Sequence, residues 1–153
     1  MWPPVDLAVT SAASVLDAPA VVVGTQHPLA KKKSVSFVSL LGYPWVVQPA
    51  GSPMREVLEQ EFRMQQAPLT RGLIETASIL TTTNLIAETD MIGVVPLSIA
   101  DTYARHGLLR VLPCPIQHKM ESFGSITRKD RPLSEATRVF LAALHQRERP
   151  AGS

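Results

Sequence analysis

Only one cysteine, Cys114, occurs among the 153 residues, which excludes an intrachain disulfide and any metal site built from several thiolates. Long hydrophobic runs are also missing. A membrane-spanning helix needs roughly 18 or more apolar residues in succession, and the stretch 5–23 is broken by Asp6, Ser11, Ser14, Asp17 and Pro19. Met1-Trp2-Pro3-Pro4 lacks the basic start of a secretory signal. A soluble cytoplasmic protein with no membrane partner is the expectation. Charge of one sign is scarce too: the formal net charge is +2, and the lysines and arginines are spread out apart from Lys31, Lys32 and Lys33. That is too little for nucleic-acid binding on charge alone.

Catalytic signatures are equally thin. Gly51-Ser52-Pro53 does not complete the Gly-x-Ser-x-Gly of a nucleophile elbow. His27, His106, His118 and His145 stand apart, without the spacing of zinc ligands. Cys114 lies between Pro113 and Pro115 with no base that can be named, so it reads as a small buried or loop residue. Glu75 and Glu88 lack a partner carboxylate, and the three lysines read as a solvated loop. Neither an enzyme nor a cofactor is expected.

What is present is an alternation of short apolar runs with amphipathic segments. Residues 5–9, 20–23, 43–47, 72–77, 91–95, 108–112 and 122–127 read as strands. A short helix is expected near residues 36–41, and longer ones at 53–66, 78–89, 97–105 and 133–146. The helix after Ser52-Pro53 has a proline at its first position, where the missing N–H costs nothing. It turns Met54, Val57, Leu58 and Phe62 inward, opposite Arg55, Glu56, Glu59 and Arg63. The last helix gathers Leu133, Thr137, Phe140, Leu141 and Leu144 on one face, with Ser134 as its cap. This order implies an open α/β sheet of βα units with parallel neighbours, because each parallel pair needs a crossover.

In such sheets ligands bind beyond the carboxyl ends of the strands, where helix N-termini offer free N–H groups and a favourable dipole to anions. Two segments have that form. Pro49-Ala50-Gly51-Ser52-Pro53 follows a strand: Gly51 allows close backbone approach, Ser52 brings a hydroxyl, and the amides of Met54 and Arg55 are placed to face a carboxylate. Thr76-Ala77-Ser78 repeats the pattern, with Thr81 and Thr82 in the next turn. An ordinary helix cap is the plainer reading of each.

The order of motifs resembles a known family. Val21-Val22-Val23-Gly24, His27-Pro28-Leu29-Ala30, Tyr43-Pro44-Trp45-Val46-Val47, Pro49-Ala50-Gly51-Ser52-Pro53-Met54-Arg55, Glu75-Thr76 with Leu80-Thr81-Thr82, Ile92-Gly93-Val94-Val95-Pro96, Gly107-Leu108-Leu109 and Arg131-Pro132-Leu133-Ser134 follow one another between about residues 20 and 146. Together they look like the effector-binding domain of LysR-type transcriptional regulators.

The resemblance implies a two-lobed fold like the type II periplasmic binding proteins, with a small-molecule effector, and a homo-oligomer. It implies residues 1–19 as a remnant of the first lobe, 20–128 as the second lobe, 129–147 as a helix returning to the first lobe, and 148–153 as a flexible tail. Pro49, Gly51, Ser52, Ser78, Thr81, Thr82, Val95 and Pro96 then face the effector. DNA binding would come only from a winged helix-turn-helix domain absent from this chain. A stand-alone solute-binding protein shares the fold but should carry a secretion signal and two whole lobes. An α/β enzyme of the same plan should show a proton-transfer residue in the cleft.

Overall fold

A strand that is apolar at every position must be covered on both faces, and residues 20–23 form such a run. In the computed structural model, which describes residues 7–10, 18–69, 73–118 and 125–146, they belong to strand β2, Pro19–Gly24. Val21 and Val23 enter one hydrophobic cluster while Ala20 and Val22 enter a second. β2 is one of five strands in a sheet with β3 (Trp45–Val47), β4 (Ile74–Glu75), β5 (Ile92–Pro96) and β6 (Leu109–Val111), in the order β4-β3-β5-β2-β6.

Three helices join the later strands: α1 (Pro53–Met64), α2 (Ile79–Glu88) and α3 (Leu97–Arg105). β3 pairs in parallel with β4 through Val46↔Ile74 and with β5 through Val46↔Gly93. The expectation of parallel neighbours fails at β2, which is antiparallel to both β5 and β6. The reason lies in its connection. β3 to β6 are linked by crossover helices and so share a direction, whereas β2 is followed by turns and a single 3-10 turn at Phe37–Leu40 and leads back into β3 from the same end. The predicted helix at 36–41 is this 3-10 turn.

On one face, α1 delivers Met54, Leu58 and Phe62 to a cluster with Phe37, Trp45, Val47 and Ile92. Phe62 meets Phe37 and Trp45 edge-on, with ring centroids 5.3 and 5.4 Å apart, an arrangement aromatic quadrupoles favour. The opposite face is covered by Ile86 of α2 and Ala100 of α3, packed with Val46, Val95 and Leu109. α2 lies close to the sheet because two glycines make room for it. A Cβ on Gly24 would sit 2.6 Å from the Ile86 carbonyl oxygen, and one on Gly93 would sit 2.6 Å from the Ile86 Cδ1.

The chain divides into two contact units, residues 17–120 and the combination of 1–16 with 121–153. Residues 125–128, grouped with the second lobe from sequence, fall in the latter. There β1 (Leu7–Thr10) pairs antiparallel with β7 (Ser125–Arg128), and helix α4 follows at Glu135–Gln146. The Ser134 hydroxyl accepts the Thr137 N–H at 3.1 Å, the expected cap. Val139 and Phe140 of α4 are 60% and 65% exposed. The predicted strand residues 5–6, 72 and 122–124, and the tail from 147, lie outside the described residues.

Gly24→Ala is expected to cost about 2–3 kcal/mol, since backbone must move, and Gly93→Ala under about 1.5 kcal/mol, since the Ile86 methyl can turn aside. Urea unfolding of both variants measures the difference; equal costs would mean that α2 does not rest on β2 as described.

Candidate functional site

β4, β3 and β5 run side by side in one direction, so their carboxyl ends share one edge of the sheet. The connection leaving β3 passes over the face covered by α1, while those leaving β4 and β5 pass over the face of α2 and α3. Loops that depart to opposite faces mark a switch point between β3 and β5, the usual ligand position in open α/β sheets.

The loop after β3 is shaped by Gly51, whose φ of +82° is open to glycine but strained for other residues. Ser52 then stands in the N-cap position of α1 with extended backbone, but it does not cap the helix. Its hydroxyl donates to the Pro49 carbonyl at 2.8 Å, and its N–H donates to the same oxygen at 3.1 Å. Pro53 has no N–H, and the amides of Met54 and Arg55 find no acceptor among the described residues. The N-terminus of α1 therefore presents two unfilled donors and the positive end of its dipole.

α2 begins differently. The Ser78 hydroxyl accepts the Thr81 N–H at 3.2 Å as a true cap, and Thr76 Oγ1 accepts the Ser78 N–H at 3.1 Å. Both hydroxyls act as acceptors here, so their hydrogens remain free to donate. The Thr76 N–H donates to the Val47 carbonyl at 3.0 Å and holds the end of β4 against the end of β3. Thr81 is exposed. Thr82 is buried and turns its hydroxyl back to the Ser78 carbonyl at 3.0 Å. At the end of β5, Val95 is buried and Pro96 is half-buried. The first amide of α3, on Leu97, donates to the Ala18 carbonyl.

The predicted residues thus gather on one edge in two roles. Pro49, Gly51, Ser52, Ser78, Thr81 and Pro96 lie at the strand ends with accessible atoms, while Thr82 and Val95 are packed beneath them. Sequence reasoning missed Arg55, which it set on the solvent side of α1. Its side chain is only 11% exposed. Nε meets Glu59 Oε1 at 2.6 Å, and Nη1 lies 3.3 Å from the Gln48 carbonyl and 3.6 Å from Glu75 Oε2. Arg55 ties α1 to the ends of β3 and β4. The i, i+4 spacing of Arg55 and Glu59 was the available signal.

A second missed residue is Glu61, 2% exposed. Its Oε1 accepts the N–H groups of Gln117 and His118 at 2.6 and 2.9 Å and lies 3.2 Å from His118 Nδ1. A buried carboxylate is tolerable only with such donors. Its position three and four residues beyond Leu58 and Val57 placed it on the apolar face. Cys114 is buried, and burial, with a smaller effect from Glu61, pushes its thiol up to about 11. The thiolate a nucleophile needs is thus absent at neutral pH.

Among the described residues no group of three or more His, Cys, Asp or Glu could hold a metal, and no helix is long and apolar enough to cross a membrane. An open groove of about 730 Å³ follows α3 along Ser98, Asp101, Thr102 and Arg105. Its described lining comes from that one helix, without the converging donors found at the strand ends.

The family model described as the LysR substrate binding domain matches residues 3–149. The chain belongs to that LysR family. It is 33% identical over 119 residues to the HTH-type transcriptional regulator GbpR of Azospirillum brasilense, covering 77% of this chain and 35% of that protein. With the uncharacterized HTH-type transcriptional regulator YdcI of Escherichia coli it shares 30% identity over 125 residues, 82% of this chain and 40% of that one. The chain therefore spans well under half the length of these LysR relatives.

Among solved structures, the regulatory domain of CcmR from Synechocystis, in complex with 2-PG, superposes with a TM-score of 0.73 at 18% identity, covering 99% of this chain and 73% of that one. The effector-binding domain of QuiR in complex with shikimate gives 0.73 at 18% identity, covering 94% and 66%. The fold is the α/β fold of LysR effector-binding domains, which resembles the type II periplasmic binding proteins. These proteins are transcriptional regulators and not enzymes.

Outside the edge, His27 offers a pH test. It is 4% exposed, accepts the Leu29 N–H on Nδ1 at 3.1 Å and packs on Tyr43. That bond assigns the ring proton to Nε2. Burial holds its pKa below 6.5, against an opposing pull from Asp90. Above pH 6.5 neither state is charged and its stabilisation is complete; as pH falls below 6.5 the unfolded chain protonates first and stability is lost, down to the folded pKa. His27→Asn keeps an acceptor for Leu29 and cannot titrate, so its unfolding free energy should fall less than the wild type's between pH 7 and 5. Parallel pH curves would show that His27 does not set the pH dependence.

Proposed function

We propose that this chain is the effector-sensing portion of a LysR-type transcription regulator and that it takes a small carboxylate or similar anion at the ends of β3, β4 and β5. The observation that carries the reading is the pair of unfilled amides of Met54 and Arg55, set beside the free hydroxyl hydrogens of Thr76 and Ser78. An acceptor-rich, negatively charged group satisfies both. Two neighbours in fold support the class: QuiR is solved with shikimate, a hydroxylated carboxylate, and CcmR with 2-PG. DNA would be contacted through a domain outside this chain, and the working compartment would be the cytoplasm. Effector binding would act by population shift, which requires higher affinity for one conformation than for another.

Self-association belongs to the same proposal. A two-stranded ribbon such as β1–β7 is marginal alone, and Val139, Phe140 and Leu144 of α4 leave apolar surface exposed beside charged neighbours. Surface of that kind marks association. Light scattering is expected to give a mass above the 16.7 kDa of one chain, reduced by Phe140→Asp. A monodisperse wild-type monomer would rule association out.

A thermal-shift screen against small aromatic and aliphatic carboxylates tests the site. A ligand at a hundred times its Kd should stabilise the chain by about 2.7 kcal/mol. Ser52→Asp places a carboxylate over the Met54 and Arg55 amides, which should raise intrinsic stability by about 0.5–1 kcal/mol and abolish the ligand shift. A shift that survives Ser52→Asp would place the ligand elsewhere.

A further inference from the structure

Residues 112–118 run along the α1 side of the sheet without regular secondary structure. Leu112 and Cys114 are buried in the cluster that α1 closes, and Ile116 is partly buried against it. At first the segment is held as an edge is held: the Leu112 N–H donates to the Val21 carbonyl, and the Pro113 carbonyl accepts the Val35 N–H. The ladder stops there. Pro113 and Pro115 have no N–H to offer, and the Cys114 N–H turns back to the Leu112 carbonyl at 2.8 Å.

Beyond Cys114, the hydrogen bonds that the segment makes among the described residues all end on one atom. Glu61 Oε1 takes the N–H groups of Gln117 and His118 and lies within reach of His118 Nδ1. Bonds to an ionised carboxylate are roughly twice as strong as neutral ones, and a carboxylate as buried as Glu61 is very costly without them. The dependence is mutual, since the segment has no second polar anchor and Glu61 has no other donors. Gln117 is exposed and His118 half-buried, so breaking these bonds uncovers little apolar surface beyond Cys114 and Ile116. His118 is also the last described residue before β7, which lies in the other contact unit.

We propose that residues 114–118 form a strap that lifts as a unit from α1, with Glu61 as its clasp, while the five-stranded sheet stays folded. With the clasp shut, these residues belong to the α1 side of the sheet; with it open, they join the connection that leads to β7. Segments with few buried contacts open locally at a lower cost than global unfolding. Cys114, the only cysteine, is 8% exposed with the strap down and becomes reachable when it lifts.

The test follows amide exchange by NMR and maleimide labelling of Cys114 in the whole chain, at several urea concentrations well below the unfolding midpoint. In wild type, exchange at Gln117 and His118 and labelling of Cys114 should be nearly independent of urea, whereas exchange at Ile92 in the core should rise steeply with it. Glu61→Gln keeps the size and loses the charge, and should speed the three strap rates about tenfold. Glu56→Gln, an equal charge change on the exposed side of α1, should leave them within about twofold. If Glu61→Gln fails to fold, His118→Ala decides: it removes one donor without touching α1 and should speed Gln117 exchange and Cys114 labelling about threefold. Strap rates that follow urea as steeply as Ile92 would show that nothing opens short of global unfolding and would overturn the proposal. Strap rates unmoved by Glu61→Gln, or by His118→Ala where that variant decides, would remove Glu61 as the clasp and overturn it equally.

Discussion

The site depends on one short strand. β3 has three residues, Trp45, Val46 and Val47, each at most 4% exposed, and it is hydrogen-bonded to a parallel partner on each side. Parallel pairing makes strand ends coincide, and a central β3 makes the loop it feeds the middle of the edge. Trp45 and Val47 pack under α1 while Val46 packs toward α2. A slip of one residue would exchange these faces and bury the wrong side chains. The same register fixes the Val47 carbonyl for Thr76, and so places the start of α2 beside the start of α1.

Much of this was legible in the sequence because it is local. Ser52-Pro53 marks the start of α1, Ser78 the start of α2 and Ser134 the start of α4, and each helix begins one residue after its serine. Strand existence followed from β-branched runs such as 20–23. The reversed direction of β2 was not legible, since direction is decided by how a strand is connected and what it finally pairs with. The Arg55–Glu75 pair and the Glu61 bonds to Gln117 and His118 were hidden for a related reason. Their partners are distant along the chain, and helical periodicity, which sets Glu61 on the apolar face of α1, says nothing of what satisfies its charge.

The two helix starts show why a sequence of caps underdetermines a site. Ser52 and Ser78 occupy the same position in the local pattern, yet one hydroxyl bonds backward to Pro49 and the other forward to Thr81. The difference comes from Gly51, whose left-handed backbone folds the β3 loop over so that the Pro49 carbonyl reaches Ser52. An unfilled helix start is a cost in the free chain that a ligand can relieve. The proposed effector position rests on that difference between the two helix starts.

On the proposed reading, ligand is held by the amides at the start of α1. Amide-resolved NMR titration of the chain with benzoate tests it directly. Saturable changes should be largest at Met54 and Arg55 and extend to residues 48–52 and 76–81, with little change along α3 from Ser98 to Arg105. Saturable changes centred on α3, with Met54 and Arg55 unmoved, would contradict it.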